Sequence, residues 1–180
     1  MPLNAATADP LPRRGDGVVL RRLSVADLPA FQAYRSDAAL ARYQGWSATP
    51  DAKARAFLGE MNTVPLFRPG EWAQIGIAAP EDPALLGDIG LYLAADSHRA
   101  EIGFTLSRPA QGRGLATAAV REAIGLVLAC TAVERVLAIT DARNHASIRL
   151  LERIGMQRQE AREAVFRGEA CVECVYALRR

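Results

Sequence analysis

Apolar residues recur along the chain in two patterns, which predict two kinds of element. Short runs rich in apolar residues predict strands, and apolar positions three and four apart predict helices, because side chains repeat every two residues on a strand and about every 3.6 on a helix. The predicted strands are residues 18–23, 72–78, 86–93, 101–106, 135–140 and two segments of 157–178 that flank a turn at Arg167-Gly168. Helices are predicted after Ser24, over 38–43, after Thr49, from about Leu115 and after Asn144.

The order of these elements predicts the fold class. Three successive strands between residues 72 and 106 predict an antiparallel meander. The strand 135–140 follows a long helix, so we expect it to lie parallel to its partner. The result is a single α/β (α+β) domain over residues 18–180, with a mixed, mostly antiparallel central sheet and helices on both faces. Residues 1–17 contain three prolines and little periodicity, and we expect a poorly ordered lead-in there.

A glycine-punctuated loop after the strand 101–106 is the stretch best suited to chemistry. Gly112 and Gly114 stand where the strand must turn into a helix, and glycine permits close backbone approach to a ligand. The first amides of the helix have no intrahelical acceptors, so the loop can cradle a phosphate, with a plain tight turn as the alternative. A dinucleotide fingerprint would place a glycine at Thr117, and a P-loop needs a lysine, but the only lysine is Lys53.

Several segments resemble one known family, in that family's order. Residues 111–116 match the Gln/Arg-x-x-Gly-x-Gly/Ala pyrophosphate loop of the GNAT superfamily of acyl-CoA-dependent N-acyltransferases. Residues 101–109 resemble its fourth strand, and 144–156 resemble its Asn-x-x-Ser and Leu-Glu-x-x-Gly-Phe element. The segment 20–46 resembles the branch typified by ribosomal-protein N-terminal alanine acetyltransferases. The resemblance covers roughly residues 18–178.

The resemblance implies where a co-substrate would bind. The sheet is expected to splay apart between its fourth and fifth strands, with acetyl-CoA in the resulting cleft. Backbone groups near Thr105 and Leu106 are expected to meet the pantetheine arm. The backbone amides expected to hold the pyrophosphate are those of Gln111, Gly112, Arg113, Gly114, Leu115, Ala116 and Thr117. Asn144 is expected to bind the arm near the thioester, although a helix cap suits it equally well.

The implied reaction is direct attack of an amine on the thioester carbonyl, which requires a neutral amine and a proton for the departing thiolate. Many family members supply that proton from a tyrosine, but Leu151 occupies its position here. Ser147 matches a serine that some alanine acetyltransferase relatives place near the sulfur, so it is the candidate thiolate stabiliser. Glu160 is the candidate base and Glu101 is the alternative. Water could also remove the proton without a dedicated base.

The acceptor is expected to be a primary amine of a protein N-terminus or of a small molecule. Tyr43 and Trp46 could wall its pocket, although both are equally suited to the core. The alternatives are an antibiotic or polyamine amine as acceptor, a non-catalytic acyl-CoA-binding module, and a nucleotide-binding module of another fold. The resemblance also suggests a possible homodimer.

Composition narrows the other partners. The formal net charge of +2 gives no electrostatic case for nucleic acid or an anionic membrane. The longest apolar run follows Gly114 and is interrupted by Arg121 and Glu122, so no membrane span is expected. No secretory signal is visible in the sequence, so a cytoplasmic location is expected. Cys171 and Cys174 fall within a predicted strand, where side chains three apart face opposite sides, so we expect no metal site.

Overall fold

The computed structural model describes residues 9–180, and eight strands form one mixed sheet in the order β1-β2-β3-β4-β5-β6-β8-β7. Its strands are β1 (Arg13–Gly15), β2 (Val18–Arg22), β3 (Trp72–Ala79), β4 (Asp82–Leu93), β5 (Arg99–Leu106), β6 (Arg135–Asp141), β7 (Gln157–Phe166) and β8 (Glu169–Arg179). Its α-helices are α1 (Leu28–Arg35), α2 (Ala38–Ala41), α3 (Asp51–Thr63), α4 (Leu115–Cys130) and α5 (His145–Arg153). The predicted α/β class, with a mostly antiparallel sheet, is confirmed.

The sheet opens between β5 and β6, its one parallel pair among the described strands. Pairing between these strands runs only from Arg99 opposite Arg135 to Glu101 opposite Leu137. Beyond that point β5 continues to pair with β4, and β6 continues to pair with β8. The two strands therefore separate and leave a cleft, as expected. They are the fifth and sixth strands rather than the fourth and fifth, because β1 precedes the first predicted strand.

The prediction of a poorly ordered lead-in over residues 1–17 needs correction. Residues 1–8 lie outside the described part, but Arg13–Gly15 form β1 and pair antiparallel with β2. Asp16 and Gly17 make the two-residue connection, and Gly17 has φ +69°. Arg13 Nε also donates to Glu122 Oε2 on α4 at 2.8 Å. The Asp-Gly pair is itself a hairpin signal, so the sequence contained the information that was missed.

Helices cover both faces of the sheet. The larger apolar cluster lies between the sheet and the helices α4 and α5, and includes the buried residues Val120, Leu126 and Leu151. The smaller cluster gathers α1 and α3 and includes Phe31 and Leu58. These two clusters hold the sheet between two helical layers.

Several predicted boundaries shift by a few residues. The helix predicted over 38–43 ends at Ala41, and Pro50, predicted as the first residue of α3, caps it instead. The long connection predicted between β3 and β4 shrinks to Pro80 and Glu81, because β4 begins at Asp82 and pairs there with Ala79. Cross-strand pairing thus extends β4 into residues that favour turns.

Two features of the described residues bear on membranes and metals. No helix within residues 9–180 is long and apolar enough to cross a membrane. The same residues contain no group of three or more side chains arranged to hold a metal ion. Cys171 and Cys174 lie in β8, as predicted, and both are buried free thiols.

Gly87 in β4 sits against the end of β5 that borders the cleft, which makes a testable prediction. A Cβ at Gly87 would overlap the carbonyl oxygen of Thr105 and lie 2.9 Å from Leu106 Cα. Backbone atoms cannot rotate away, so Gly87→Ala is expected to lower the free energy of unfolding by about 1–3 kcal/mol. Urea denaturation measures this change.

The matched control for this substitution is Gly59→Ala in α3. A Cβ at Gly59 would meet only Val25 Cγ2, at the ordinary distance of 3.8 Å. We expect this variant to keep the parent stability or gain slightly, because alanine favours helix. Equal stability of the two variants would contradict the close approach between β4 and β5.

Candidate active site

The loop between β5 and α4 presents a row of free backbone amides. Gly112 and Gly114 adopt φ +75° and +79°, the left-handed region that glycine favours. The first amide of α4 that donates to a preceding carbonyl is that of Ala118, to Gly114 O at 3.1 Å. Within residues 9–180, the amides from Gly112 to Thr117 therefore have no acceptor. These amides, at the positive end of the α4 dipole, form an anion-binding cradle.

A cavity of about 540 Å³, here the first cavity, lies against this cradle and is closed on its other side by α5. Nearly all of the residues predicted to hold the co-substrate line this cavity. The predicted residues that line it are Thr105, Leu106, Gln111, Gly112, Gly114, Leu115, Ala116, Thr117, Asn144 and Ser147. Arg113 is exposed and is absent from this lining. The chain thus brings two segments that are distant in sequence to one site.

Some predicted backbone contacts are partly occupied within the protein. Gln111 Nε2 donates to Leu106 O at 2.9 Å and so ties the loop to the end of β5. Gln44 Nε2 donates to Phe104 O at 3.3 Å. The side chain of Gln111 therefore stabilises the cradle, whereas the sequence analysis predicted a role only for its backbone amide.

The helix α5 supplies side chains to the first cavity. Asn144 Oδ1 accepts from the amide of Ser147 at 3.3 Å, so Asn144 caps α5. Arg149 and Arg153 also line the cavity, and the sequence analysis missed both. Their spacing of four residues puts them on one face of the helix, which was the available signal. Leu151 is fully buried in the core, so the position of the family's tyrosine supplies no proton here.

A second cavity of about 570 Å³ meets the first where β5 and β6 separate. The two cavities share Tyr43, Gln44, Phe104 and Thr105. Aromatic side chains dominate the apolar part of the second cavity: Tyr43, Trp46, Phe57, Trp72, Phe104 and Phe166. The predicted pair Tyr43 and Trp46 therefore does border a pocket.

A buried carboxylate organises the floor of the second cavity. Asp88 is fully buried and accepts hydrogen bonds from Tyr34 Oη, from Arg35 Nη2 at 2.7 Å and from Gln74 Nε2 at 2.8 Å. The guanidinium of Arg35 lies between the rings of Phe31 and Trp46, at 4.6 and 4.4 Å from their centroids.

This network fixes the position of the Trp46 ring, because a buried charge pair and stacked rings leave few alternative rotamers. Burial, together with the neighbouring charge of Asp88, raises the pKa of Tyr34 well above its ordinary value. Tyr34 therefore stays a hydrogen-bond donor to Asp88 over the working pH range of most proteins.

Glu101 on β5 lines the second cavity, whereas Glu160 does not. Burial and then the negative charge of Glu173 raise the pKa of Glu101, against the opposing charges of Arg162 and Arg99. Within the described residues the Glu101 carboxylate has no hydrogen bond or ion pair. Glu101 is thus a partly desolvated carboxylate beside the cleft, without a partner that would hold its charge.

Glu160, the base favoured by the sequence, lies on the outer strand of the sheet. Its carboxylate is about half exposed and pairs with Arg162 at 3.3 Å. The sequence placed the strand after Gly155 beside the cleft, but β8 inserts between that strand, β7, and β6. The carboxylate is displaced from the site because the last two strands are exchanged in space.

Sequence comparison matches residues 18–157 to the acetyltransferase (GNAT) domain. The chain belongs to the GNAT family. It is 26% identical to the uncharacterised N-acetyltransferase p20 of Bacillus licheniformis over 144 residues, which cover 79% of this chain and 80% of that protein. The GNAT enzymes of this kind are acyl-CoA-dependent N-acetyltransferases, and the chain is one of them, with acetyl-CoA as co-substrate.

Solved GNAT structures share the fold. A GNAT-family acetyltransferase from Bacillus anthracis superposes with a TM-score of 0.78 at 19% identity, covering 92% of this chain and 96% of that one. RimL, a ribosomal L7/L12 alpha-N-protein acetyltransferase in complex with CoA, gives a TM-score of 0.77 at 16% identity, covering 93% and 97%. The family match excludes a nucleotide-binding module of another fold.

Proposed function

We propose that this GNAT enzyme transfers an acetyl group from acetyl-CoA in the first cavity to a primary amine in the second. The observation that carries the proposal is the junction of the two cavities at Tyr43, Gln44, Phe104 and Thr105. A thioester at this junction would face the amine directly, so the reaction needs no acyl-enzyme intermediate. Alignment of the two reactants supplies much of the rate.

The residues of the first cavity fit acetyl-CoA. The free amides from Gly112 to Thr117 suit its pyrophosphate, and the cations Arg149 and Arg153 suit further phosphate charge. Thr105 and Leu106 lie where a pantetheine arm would pass along β5, and Asn144 lies across the cavity from them.

In the proposed reaction the amine nitrogen bonds to the acetyl carbon and the carbon–sulfur bond breaks. Glu101 receives the amine proton through water in the second cavity, and its raised pKa makes it a stronger proton acceptor than an ordinary glutamate. Ser147 lines the first cavity and is the proposed donor to the departing thiolate. Glu101 replaces Glu160 in this role because only Glu101 borders the cavity.

The charges around the second cavity favour a monoamine over a polyamine. A spermidine N-acetyltransferase from Vibrio cholerae, solved with CoA and spermine, shares the fold. Here, however, the other acidic side chains of the cavity are matched by arginines: Asp88 by Arg35, Asp141 by Arg143 and Glu173 by Arg162. Glu101 alone is left for an acceptor cation. A protein N-terminus and a small-molecule amine both satisfy this requirement.

The experiment that tests the proposal is a panel of primary amines with acetyl-CoA, in which mass spectrometry detects the acetylated amine. We expect product with at least one amine, and Glu101→Gln to lower kcat by about 100-fold. In a plot of kcat/KM against pH, the apparent pKa of the acidic limb should lie above the ordinary range of a glutamate, because that limb reports ionisation of Glu101. The limb should disappear in Glu101→Gln.

Stability supplies the control for this substitution. A raised folded-state pKa means that ionisation of Glu101 costs stability as pH rises from the ordinary glutamate pKa to the raised one. The glutamine in Glu101→Gln carries no charge at any pH, so the free energy of unfolding of this variant relative to the parent should rise as pH rises across that window. The role of Glu101 as a buried, ionising base would be contradicted if Glu101→Gln lost activity while its difference in stability from the parent was the same at acidic and neutral pH. Glu160→Gln should retain parent activity.

A further inference from the structure

Two opposed glycines lie in the floor of the second cavity. Gly90 on β4 and Gly103 on β5 pair directly across the strands and both line the cavity. A Cβ at Gly103 would meet no atom within 4 Å. Directly opposed residues share a face of an antiparallel pair. The backbone at Gly103 is therefore open to the cavity, whereas a Cβ at Gly90 would lie 3.1 Å from Gln74 Oε1, so neighbouring side chains cover Gly90.

Aromatic rings stand on two sides of this glycine floor. A Cβ at Gly90 would lie 3.1 Å from Cζ3 of Trp72, so the indole lies over Gly90, the residue that pairs with Gly103. The Trp72 side chain is 47% exposed, which is unusual for so large an apolar group, and it packs on Tyr92 at 5.2 Å between ring centroids. Trp46, held by Arg35, stands on the α1 side.

The second cavity is also bridged from above by the turn between β7 and β8. Arg167 donates from Nη2 to the carbonyl oxygens of Gln44, at 3.0 Å, and of Trp46. Phe166, the neighbouring residue, lines the cavity. The bridge joins the two banks of the cleft and confines the space above the floor. A volume of about 570 Å³ then fits a small molecule.

The charge of the site is placed beside the floor. Glu101 lies two residues before Gly103 on β5, so both project on the same face. Its carboxylate is the one acidic group lining the second cavity that has no arginine partner within residues 9–180. A cationic group bound there would lie next to the open backbone of Gly103 and the aromatic rings of the cavity.

We infer that the acceptor is a small primary amine that carries a flat aromatic ring, with the ring on the open backbone of Gly103 beside Trp72 and the ammonium near Glu101. This inference rests on the proposed function and names its substrate class. Ring stacking and edge contacts favour aromatic over aliphatic groups of equal size. A polyamine would leave its second cation without a partner.

Binding is measured by intrinsic fluorescence, because both tryptophans of the chain, Trp46 and Trp72, line this cavity. The protein saturated with CoA is titrated with 2-phenylethylamine, n-hexylamine and spermidine. We expect 2-phenylethylamine to quench or shift the emission with a Kd at least about tenfold below that of n-hexylamine. The same order is expected in kcat/KM with acetyl-CoA.

Variants of the floor sharpen the test. Gly103→Ala adds one methyl group to open space, so the fold should be kept while kcat/KM for 2-phenylethylamine falls by about 10–200-fold. Trp72→Leu keeps an apolar side chain but removes the ring, and it should raise KM more than it lowers kcat. Gly59→Ala, which lines neither cavity, is the matched control and should leave both constants unchanged. Acetyl-CoA affinity should be equal in all three.

The outcomes separate this inference from the proposed function. Acetylation of n-hexylamine, spermidine or a peptide N-terminus as efficiently as 2-phenylethylamine, with Gly103→Ala neutral, overturns the inference and leaves the proposed function standing. Absence of product with every amine contradicts the proposed function. In that case the fluorescence titration still decides the inference, because it needs no turnover, and equal affinities for the three amines overturn it.

Discussion

Asp88→Ala is expected to lower the free energy of unfolding by about 3–5 kcal/mol, the largest stability loss we predict for a single side chain here. Asp88 is fully buried, and its carboxylate accepts from Tyr34, Arg35 and Gln74. Its removal leaves the buried guanidinium of Arg35 without its carboxylate partner. Arg35 Nε already has no hydrogen-bond partner within residues 9–180. An unpaired buried charge is costly because water cannot replace the lost partner.

Urea denaturation at neutral pH measures this loss. The control is Glu71→Ala, which breaks an exposed ion pair with Arg68 at 3.1 Å and should cost at most about 1 kcal/mol. The double variant Asp88→Leu with Arg35→Met should recover much of the stability, because an apolar pair leaves no charge unpaired. A small loss in Asp88→Ala, similar to that of Glu71→Ala, would show that the network is dispensable.

Gly114→Trp is expected to abolish saturable acetyl-CoA binding. A Cβ at Gly114 would meet no atom within 4 Å, so an indole there would project into the space in front of the free amides. The phosphates would then lose both the cradle and the end of the α4 dipole. Isothermal titration with acetyl-CoA measures the effect, with NAD and ATP as ligands that should not bind.

The backbone strain of this substitution needs its own control, because φ at Gly114 is +79°. Gly168 in the turn between β7 and β8 has the same φ of +79° and equally open surroundings. Gly168→Trp therefore imposes comparable strain away from the first cavity, and it should retain acetyl-CoA binding. Loss of binding in both variants would attribute the effect to strain. Parent affinity in Gly114→Trp would remove the loop from the co-substrate site.

Local patterns predicted the elements that build the co-substrate side of the site. Apolar periodicity located β5 and α4, and the glycines between them marked the loop whose amides are free in the structure. The Asn144 cap of α5 was equally readable, because a cap involves residues three apart in the chain. These features depend on interactions within a few residues, so short windows of sequence contain them.

Two errors of prediction at the site concern contacts between segments that are distant in the chain. Glu160 was placed beside the cleft because β7 follows α5 in sequence, yet β8 takes the position next to β6. Arg149 and Arg153 were overlooked because arginines on a helix usually face solvent, and only the first cavity distinguishes them. Periodicity describes which face a residue occupies but not which strand lies beside it.

The sequence by itself determined most of the strands and helices, the glycine loop and the family to which the chain belongs, because each depends on residues that are close together in the chain. Only the tertiary structure decided that Glu101 and not Glu160 borders the second cavity, and that the Asp88 carboxylate is held in a buried network. It also decided that Gly90 and Gly103 oppose each other. Those facts depend on contacts between segments far apart in the chain, whose register is fixed only when the whole sheet and its two helical layers pack together.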